Sequence, residues 1–129
     1  MESVSGICVD SDILIDYLRG QVLARDFLID KFQTSGLYVS SISVAEIYSG
    51  QEAGDDAKQD ELSGFLDNFF LIPITPQIAK LGGDIRRESN KPFADALIAA
   101  SAIVYGLALA TRNKKHFENI KDLKILTPY

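Results

Sequence analysis

Asp10 and Asp12 stand two residues apart directly behind the apolar run Ile7, Cys8, Val9, in the stretch ICVDSDILIDYL. Glu46 and Asp95 are two more acids inside stretches with helical spacing, and Thr111, Arg112 and Asn113 follow another apolar run. Carboxylates, a hydroxyl and an amide are oxygen donors, which a hard cation such as Mg²⁺ prefers. Mg²⁺ keeps several waters and takes one or two carboxylates together with phosphate oxygens. Held this way, the ion orients and acidifies a water for attack on phosphorus and stabilises the departing oxygen. Without an ion the same cluster is costly, since two carboxylates ~5 Å apart repel by roughly 3 kcal/mol at an effective dielectric of ~20. The ion would bridge this acidic pocket to a polyanion, while Arg86, Arg87, Lys91, Arg112, Lys114 and Lys115 could hold flanking phosphates.

These residues need a scaffold that gathers them. Ile7–Val9 reads as a strand, followed by a helix opened by Ser11 or Asp12 and ended by Gly20. A second helix covers about Val22 to Gln33, and Gly36 leads into a strand at Leu37, Tyr38 and Val39. Helices follow at about Ser43–Ser49 and Asp56–Phe69, separated by the polar stretch Gly50–Gln59, which reads as a connection. A third strand is expected at Leu71–Ile74. A helix at Gln77–Glu88 carries Ile78, Leu81 and Ile85 at helical spacing. Pro92 suits the first turn of the next helix, which stops at Gly106 before a fourth strand at Leu107–Ala110. A last strand is expected near Lys124–Leu126. Strands alternating with helices imply an α/β fold, a mostly parallel central sheet with helices on both faces. In such sheets the carboxyl ends of the strands form the ligand-binding edge, where the strand order reverses. Asp10, Asp12, Glu46 and Thr111 belong to that edge, and Asp95 could face it from the first turn of its own helix.

The chain has 129 residues, which fits one domain over residues 1–129, and 47% hydrophobic with 24% charged residues is ordinary for a globular protein. The single cysteine, Cys8, cannot form an internal disulfide and reads as core packing. With no secretory-type start the expected location is cytoplasmic, and the apolar stretch Ala96–Ala110 is short of the ~20 residues of a membrane helix. The net charge of −5 is unevenly spread. Residues 1–78 hold 4 Lys/Arg against 13 Asp/Glu, and residues 79–129 hold 9 against 5. An acidic chain can therefore still present a basic face to a nucleic acid.

Three stretches together resemble one family: VDSDILIDYLRG (9–20), ISVAEIYSG (42–50) and DALIAASAIVYGLALATRN (95–113). They are similar in type, order and interval to the PIN (PilT N-terminal) domain ribonucleases, and within them to the VapC-type toxins of toxin–antitoxin pairs. The resemblance runs from Ile7 to about Leu126. It implies a PIN-like α/β sandwich, Mg²⁺ or Mn²⁺ as cofactor, homodimers and cleavage of RNA. It also implies a VapB-like antitoxin whose C-terminal segment lies along the active-site groove. Carried over by position, it makes Asp10, Glu46 and Asp95 the catalytic, metal-binding acids, with Thr111 supporting the pocket. Two departures stand out. Ser11 and Asp12 replace the family's frequent Thr or Ser followed by Asn, and Asn113 stands where many members supply a fourth acid, with His116 three residues on. An asparagine carbonyl can ligate Mg²⁺ without adding charge.

Each residue also has a plainer reading. Asp12 or Ser11 could cap a helix, Ser43–Glu46 fits a capping box, Asp95 would meet a helix dipole, and Asn113 could cap a final short helix. Asp16 reads as a solvated helix position beside Arg19, outside the site, and His116 as exposed. No cap explains Asp10, which ends a buried strand. Two other functions remain open on the residues. An apolar strand ending in D-x-D also describes phosphatases of the haloacid dehalogenase type, although TRNKKHF after the fourth strand lacks their later acidic pair. A non-catalytic PIN domain that only binds a partner is the other. The joint occurrence of Asp10, Glu46 and Asp95 favours a metal-dependent ribonuclease.

Overall fold

The computed structural model describes residues 6–129. Five short strands, β1 (Gly6–Val9), β2 (Gly36–Ser40), β3 (Phe70–Ile72), β4 (Ala108–Ala110) and β5 (Ile125–Leu126), form one sheet in the order β3-β2-β1-β4-β5. Every neighbouring pair is parallel. Between the strands run α1 (Ser11–Leu18), α2 (Val22–Thr34), α3 (Ser41–Tyr48), α4 (Asp56–Leu66), α5 (Pro76–Ser89), α6 (Phe93–Val104) and α7 (Lys114–Phe117), with a single 3-10 turn at Gln51–Gly54.

Strand alternation divides the core into two layers. Ile7 and Val9 pack on one face of the sheet with Ile13, Leu14 and Leu28 from α1 and α2. Cys8, pointing the other way, packs with Ile78, Ile98 and Phe117 from α5, α6 and α7. The buried Cys8 thiol is pushed up to about 12 by burial and then by the charge of Asp10, which leaves it an inert packing group, as expected. Helices thus cover both faces of a parallel sheet. Among the described residues no helix is long and apolar enough to cross a membrane.

The topology creates the site. From β1 the chain winds outward through β2 to β3, then returns to the opposite side of β1 for β4 and β5. The order therefore reverses between β1 and β4, and the crevice at their carboxyl ends is where this architecture binds ligands. Val9 is in register with Ala110, so Asp10 and Thr111 emerge side by side.

Boundaries moved where local signals competed. The expected helix start at Ser43 lies instead at Ser41, because Ser40 takes the cap and its Oγ accepts from the Ile42 N–H at 3.1 Å. Ser43 is then mid-helix, and no Ser43–Glu46 capping box forms. α4 ends at Leu66, earlier than the expected Phe69. The third strand starts one residue early at Phe70 and stops at Ile72, because Pro73 has no N–H to give to a ladder. Gly20 and Gly106 end α1 and α6 at φ of +85° and +69°, which favours glycine. A Cβ at Gly82 would come within 2.6 Å of Leu97 Cδ2, so the bare glycine lets α5 and α6 pack closely.

Candidate active site

Asp10 is buried at the end of β1, and each of its carboxylate oxygens is held. Oδ1 accepts from the Ser11 N–H at 2.8 Å, and Oδ2 accepts from the Thr111 hydroxyl at 2.8 Å. The first bond corrects an expectation: Asp10 is itself the cap residue of α1, with extended backbone geometry. Capping consumes only one oxygen, and the other faces the strand-order reversal. Asp12, in the first turn of α1, has Oδ1 bound by the Ile13 N–H at 2.7 Å and Oδ2 by the Arg112 N–H at 2.9 Å. The Thr111 hydroxyl also lies 3.4 Å from that Oδ2, but its one proton goes to the shorter contact with Asp10. The Thr111 oxygen in turn accepts from the Asn113 N–H at 3.0 Å, so one buried threonine ties the two acids to the turn after β4.

The remaining acids arrive from the helices. The Ser11 hydroxyl donates to Glu46 Oε1 at 2.9 Å, which joins α1 to α3 and replaces the capping box as the partner of Glu46. One turn before it, Ser43 Oγ is buried without a hydrogen-bond partner. Asp95, at the third position of α6, has Oδ2 3.3 Å from Nδ1 of His116. His116 is exposed as expected, yet it is engaged.

Burial makes ionisation costly at three of these acids. The Asp10 carboxyl is pushed up to about 7, by burial first and the charge of Asp12 second, against the opposing bonds from Thr111 and Ser11. Burial also raises Asp12, opposed chiefly by the Arg112 N–H, and raises Asp95, opposed by His116 and Lys91. A cation beside Asp10 would offset the cost of its charge. The donors are carboxylate and hydroxyl oxygens, the set a hard cation takes. Among the described residues no three His, Cys, Asp or Glu side chains form a ready-made cage for one ion. The raised carboxyl of Asp10 fits a positively charged occupant.

Other expected residues lie at the rim. Asn113 takes the cap position of α7 without a side-chain cap bond and is exposed, as are Lys114 and Lys115. Arg112 turns away from solvent phosphates toward Asp16, with its Nε 2.6 Å from Oδ2. Asp16 is thus neither a solvated position nor a neighbour of Arg19. It also accepts from the Tyr129 hydroxyl at 2.8 Å, a contact across the length of the chain that nothing local announces. The spacing of Asp12 and Asp16 by one helical turn was the available signal that both face the segment after β4.

A model of the PIN domain matches residues 7–123, nearly the whole described chain. The chain belongs to the PIN domain family. Within it, the chain is similar to the VapC ribonucleases. It is 41% identical over 123 residues to Ribonuclease VapC10 of Mycobacterium tuberculosis, covering 92% of this chain and 90% of that one. To Ribonuclease VapC1 of Methanocaldococcus jannaschii it is 30% identical, covering 92% and 83%. A toxin–antitoxin complex from Klebsiella pneumoniae contains a chain that superposes with a TM-score of 0.82 at 29% identity, covering 95% of this chain and 98% of that one. For this PIN domain, a dehalogenase-type phosphatase is no longer a competing reading. Its crevice holds no acidic pair after β4, where the exposed Lys114 and Lys115 stand instead.

Proposed function

We propose that this PIN domain is a metal-dependent ribonuclease and the toxin of a type II toxin–antitoxin pair, with Asp10, Glu46 and Asp95 as the metal-binding, catalytic acids. The observation that carries the reading is Asp10: a buried carboxylate at the strand-order reversal, fixed by Thr111 and crowded by Asp12. A bound Mg²⁺ or Mn²⁺ would supply an acidified water and stabilise the departing oxygen of a phosphodiester. The chain's own residues supply the positioning. Thr111 and the Ser11 N–H fix the plane of Asp10, the Ser11 hydroxyl orients Glu46, and His116 steadies Asp95. The Arg112 N–H holds Asp12 beside them. In this reading Lys114 and Lys115, exposed at the start of α7, meet RNA phosphates, and Asn113 offers a further neutral oxygen ligand. The Arg112 guanidinium, already forked on Asp16, serves mainly to hold α1 against the turn after β4.

The relatives are ribonucleases by name, and a toxin–antitoxin complex is among the solved neighbours, which supports an antitoxin of the VapB kind as partner; a homodimer as the active form and the cytoplasm as the place of action rest on the family resemblance alone. An arginine from such a partner would fork onto the acids and compete with metal for their oxygens. The test uses purified protein and mixed RNA with Mg²⁺, Mn²⁺ or EDTA, beside Asp10→Asn. Cleavage that needs the metal and vanishes in the variant is expected. Cleavage that survives both EDTA and Asp10→Asn ends the reading. For the toxin role, growth arrest on expression of the wild-type chain alone, relieved by its co-purifying DNA-binding partner, is expected, and harmless expression counts against it.

A further inference from the structure

A cleft of about 380 Å³ opens beside Glu46, within the ~300–1,000 Å³ typical of small-molecule sites. Its walls are aliphatic, from Ile15 and Leu18 on α1 and Ile47 on α3, and its rim carries two cations, Arg19 and Lys58. Glu46 belongs to both places: it lines the cleft, and its Oε1 accepts from Ser11 inside the acid cluster. A phosphodiester bound near Glu46 would bring its neighbouring nucleotide close to this cleft.

Apolar walls with cations at the edge match the chemistry of a nucleotide, a flat base with an anionic phosphate attached. Proteins that read single-stranded RNA take unstacked bases against apolar side chains or the plane of an arginine. The planar guanidinium of Arg19 offers such a surface. Among the described residues Lys58 pairs with Glu61 at 3.5 Å, a weak surface contact that a phosphate can replace. Resting on the ribonuclease reading, we propose that this cleft receives the base of a nucleotide next to the cut phosphodiester and sets the sequence preference of cleavage.

Methyl-resolved NMR of the metal-free chain, titrated with the four nucleoside 5′-monophosphates and with ribose 5-phosphate, tests the cleft directly. The methyl signals of Ile15, Leu18 and Ile47 shift with at least one nucleoside monophosphate and stay in place with ribose 5-phosphate. Equal shifts with ribose 5-phosphate, or none with any nucleotide, overturn the proposal and leave the cleft to a protein segment. Gly50→Leu supplies the second arm. Gly50 lines the cleft, and a Cβ there meets only Ile47 O at 3.6 Å, an ordinary contact, so a larger side chain starts there without a backbone clash. Sequencing the cut ends of randomised RNA then shows the base preference beside the cut flattened at least tenfold relative to wild type. An unchanged profile overturns the proposal. The titration of the unaltered chain decides it even where Gly50→Leu fails to fold. Absence of metal-dependent cleavage in the wild type defeats the ribonuclease reading instead, while the nucleotide titration still reports on the cleft.

Discussion

His116 Nδ1 lies 3.3 Å from Asp95 Oδ2, so the imidazole of the last helix steadies an acid at the first turn of α6. The carboxylate of Asp95 is mostly buried, with 17% of its side chain exposed, and burial already makes its charge costly. His116→Asp replaces this partner by a second anion. The metal-free protein is expected to lose on the order of 1 kcal/mol, a few degrees in melting temperature for a chain of this size, while the upward shift produced by Mg²⁺ grows. Differential scanning fluorimetry with EDTA and with Mg²⁺ measures both. If neither moves, the pair is a surface contact with no part in the site.

Asp10 makes the metal-free fold sensitive to pH. Its carboxyl ionises near 3.8 when unfolded and near 7 when folded. Between these values the folded state keeps a proton that the unfolded state has released. The contribution of Asp10 to stability is therefore fully present below the lower value and is lost as pH rises through 7. The gap between the folded and unfolded values sets an upper bound on the order of 4 kcal/mol. The melting temperature of the metal-free chain is expected to fall between pH 4 and 7.5 more steeply than that of Asp10→Asn, which should be the more stable of the two at pH 8. Mg²⁺ should restore wild-type stability at that pH. Parallel pH profiles for the two proteins would mean that Asp10 is comfortably ionised without an ion.

Asp16 joins three distant parts of the chain. Its carboxylate binds the Arg112 guanidinium and the Tyr129 hydroxyl, and the Tyr129 phenol is pushed up by burial and then by that bond. Because Arg112 is 42% exposed, the ionic part is screened, and Asp16→Ala is expected to cost about 1 kcal/mol. Tyr129→Phe should cost about half as much. The double variant should cost less than the sum, since both bonds share one acceptor. Urea denaturation provides the cycle, and strict additivity would show that the two bonds are independent.

Much of this was legible in the residues because the strong signals were local. Apolar runs marked the strands, Gly20 and Gly106 marked helix ends, and Asp10 and Thr111 were readable as an acid and a hydroxyl just past the ends of neighbouring strands. What failed required tertiary information. Ser40, Ser41 and Ser43 are all competent caps, and only the length of β2 decides that Ser40 serves. Asp10 doubles as a cap because the chain turns into α1 without an intervening residue. The pairing of Asp16 with Arg112 spans 96 residues, and strand order alone brings the two together.

Asn113 offers the sharpest single test of the site's extent. It holds the cap position of α7 but makes no side-chain cap bond, and its N–H donates to the same Thr111 oxygen that binds Asp10. The backbone there is thus tied to the acid cluster while the side chain stays uncommitted. Asn and Asp cap about equally well, so a capping role would leave Asn113→Asp nearly silent. A place among the metal donors would not, because oxygen sites bind hard cations more tightly as ligand charge rises. Asn113→Asp is therefore expected to lower the Mg²⁺ concentration for half-maximal cleavage several-fold, with the largest gain in rate at low Mg²⁺, where a weakly held ion is only partly bound. Titration curves of cleavage rate against Mg²⁺ that superimpose for the wild type and the variant would confine the ion-binding donors to Asp10, Glu46 and Asp95.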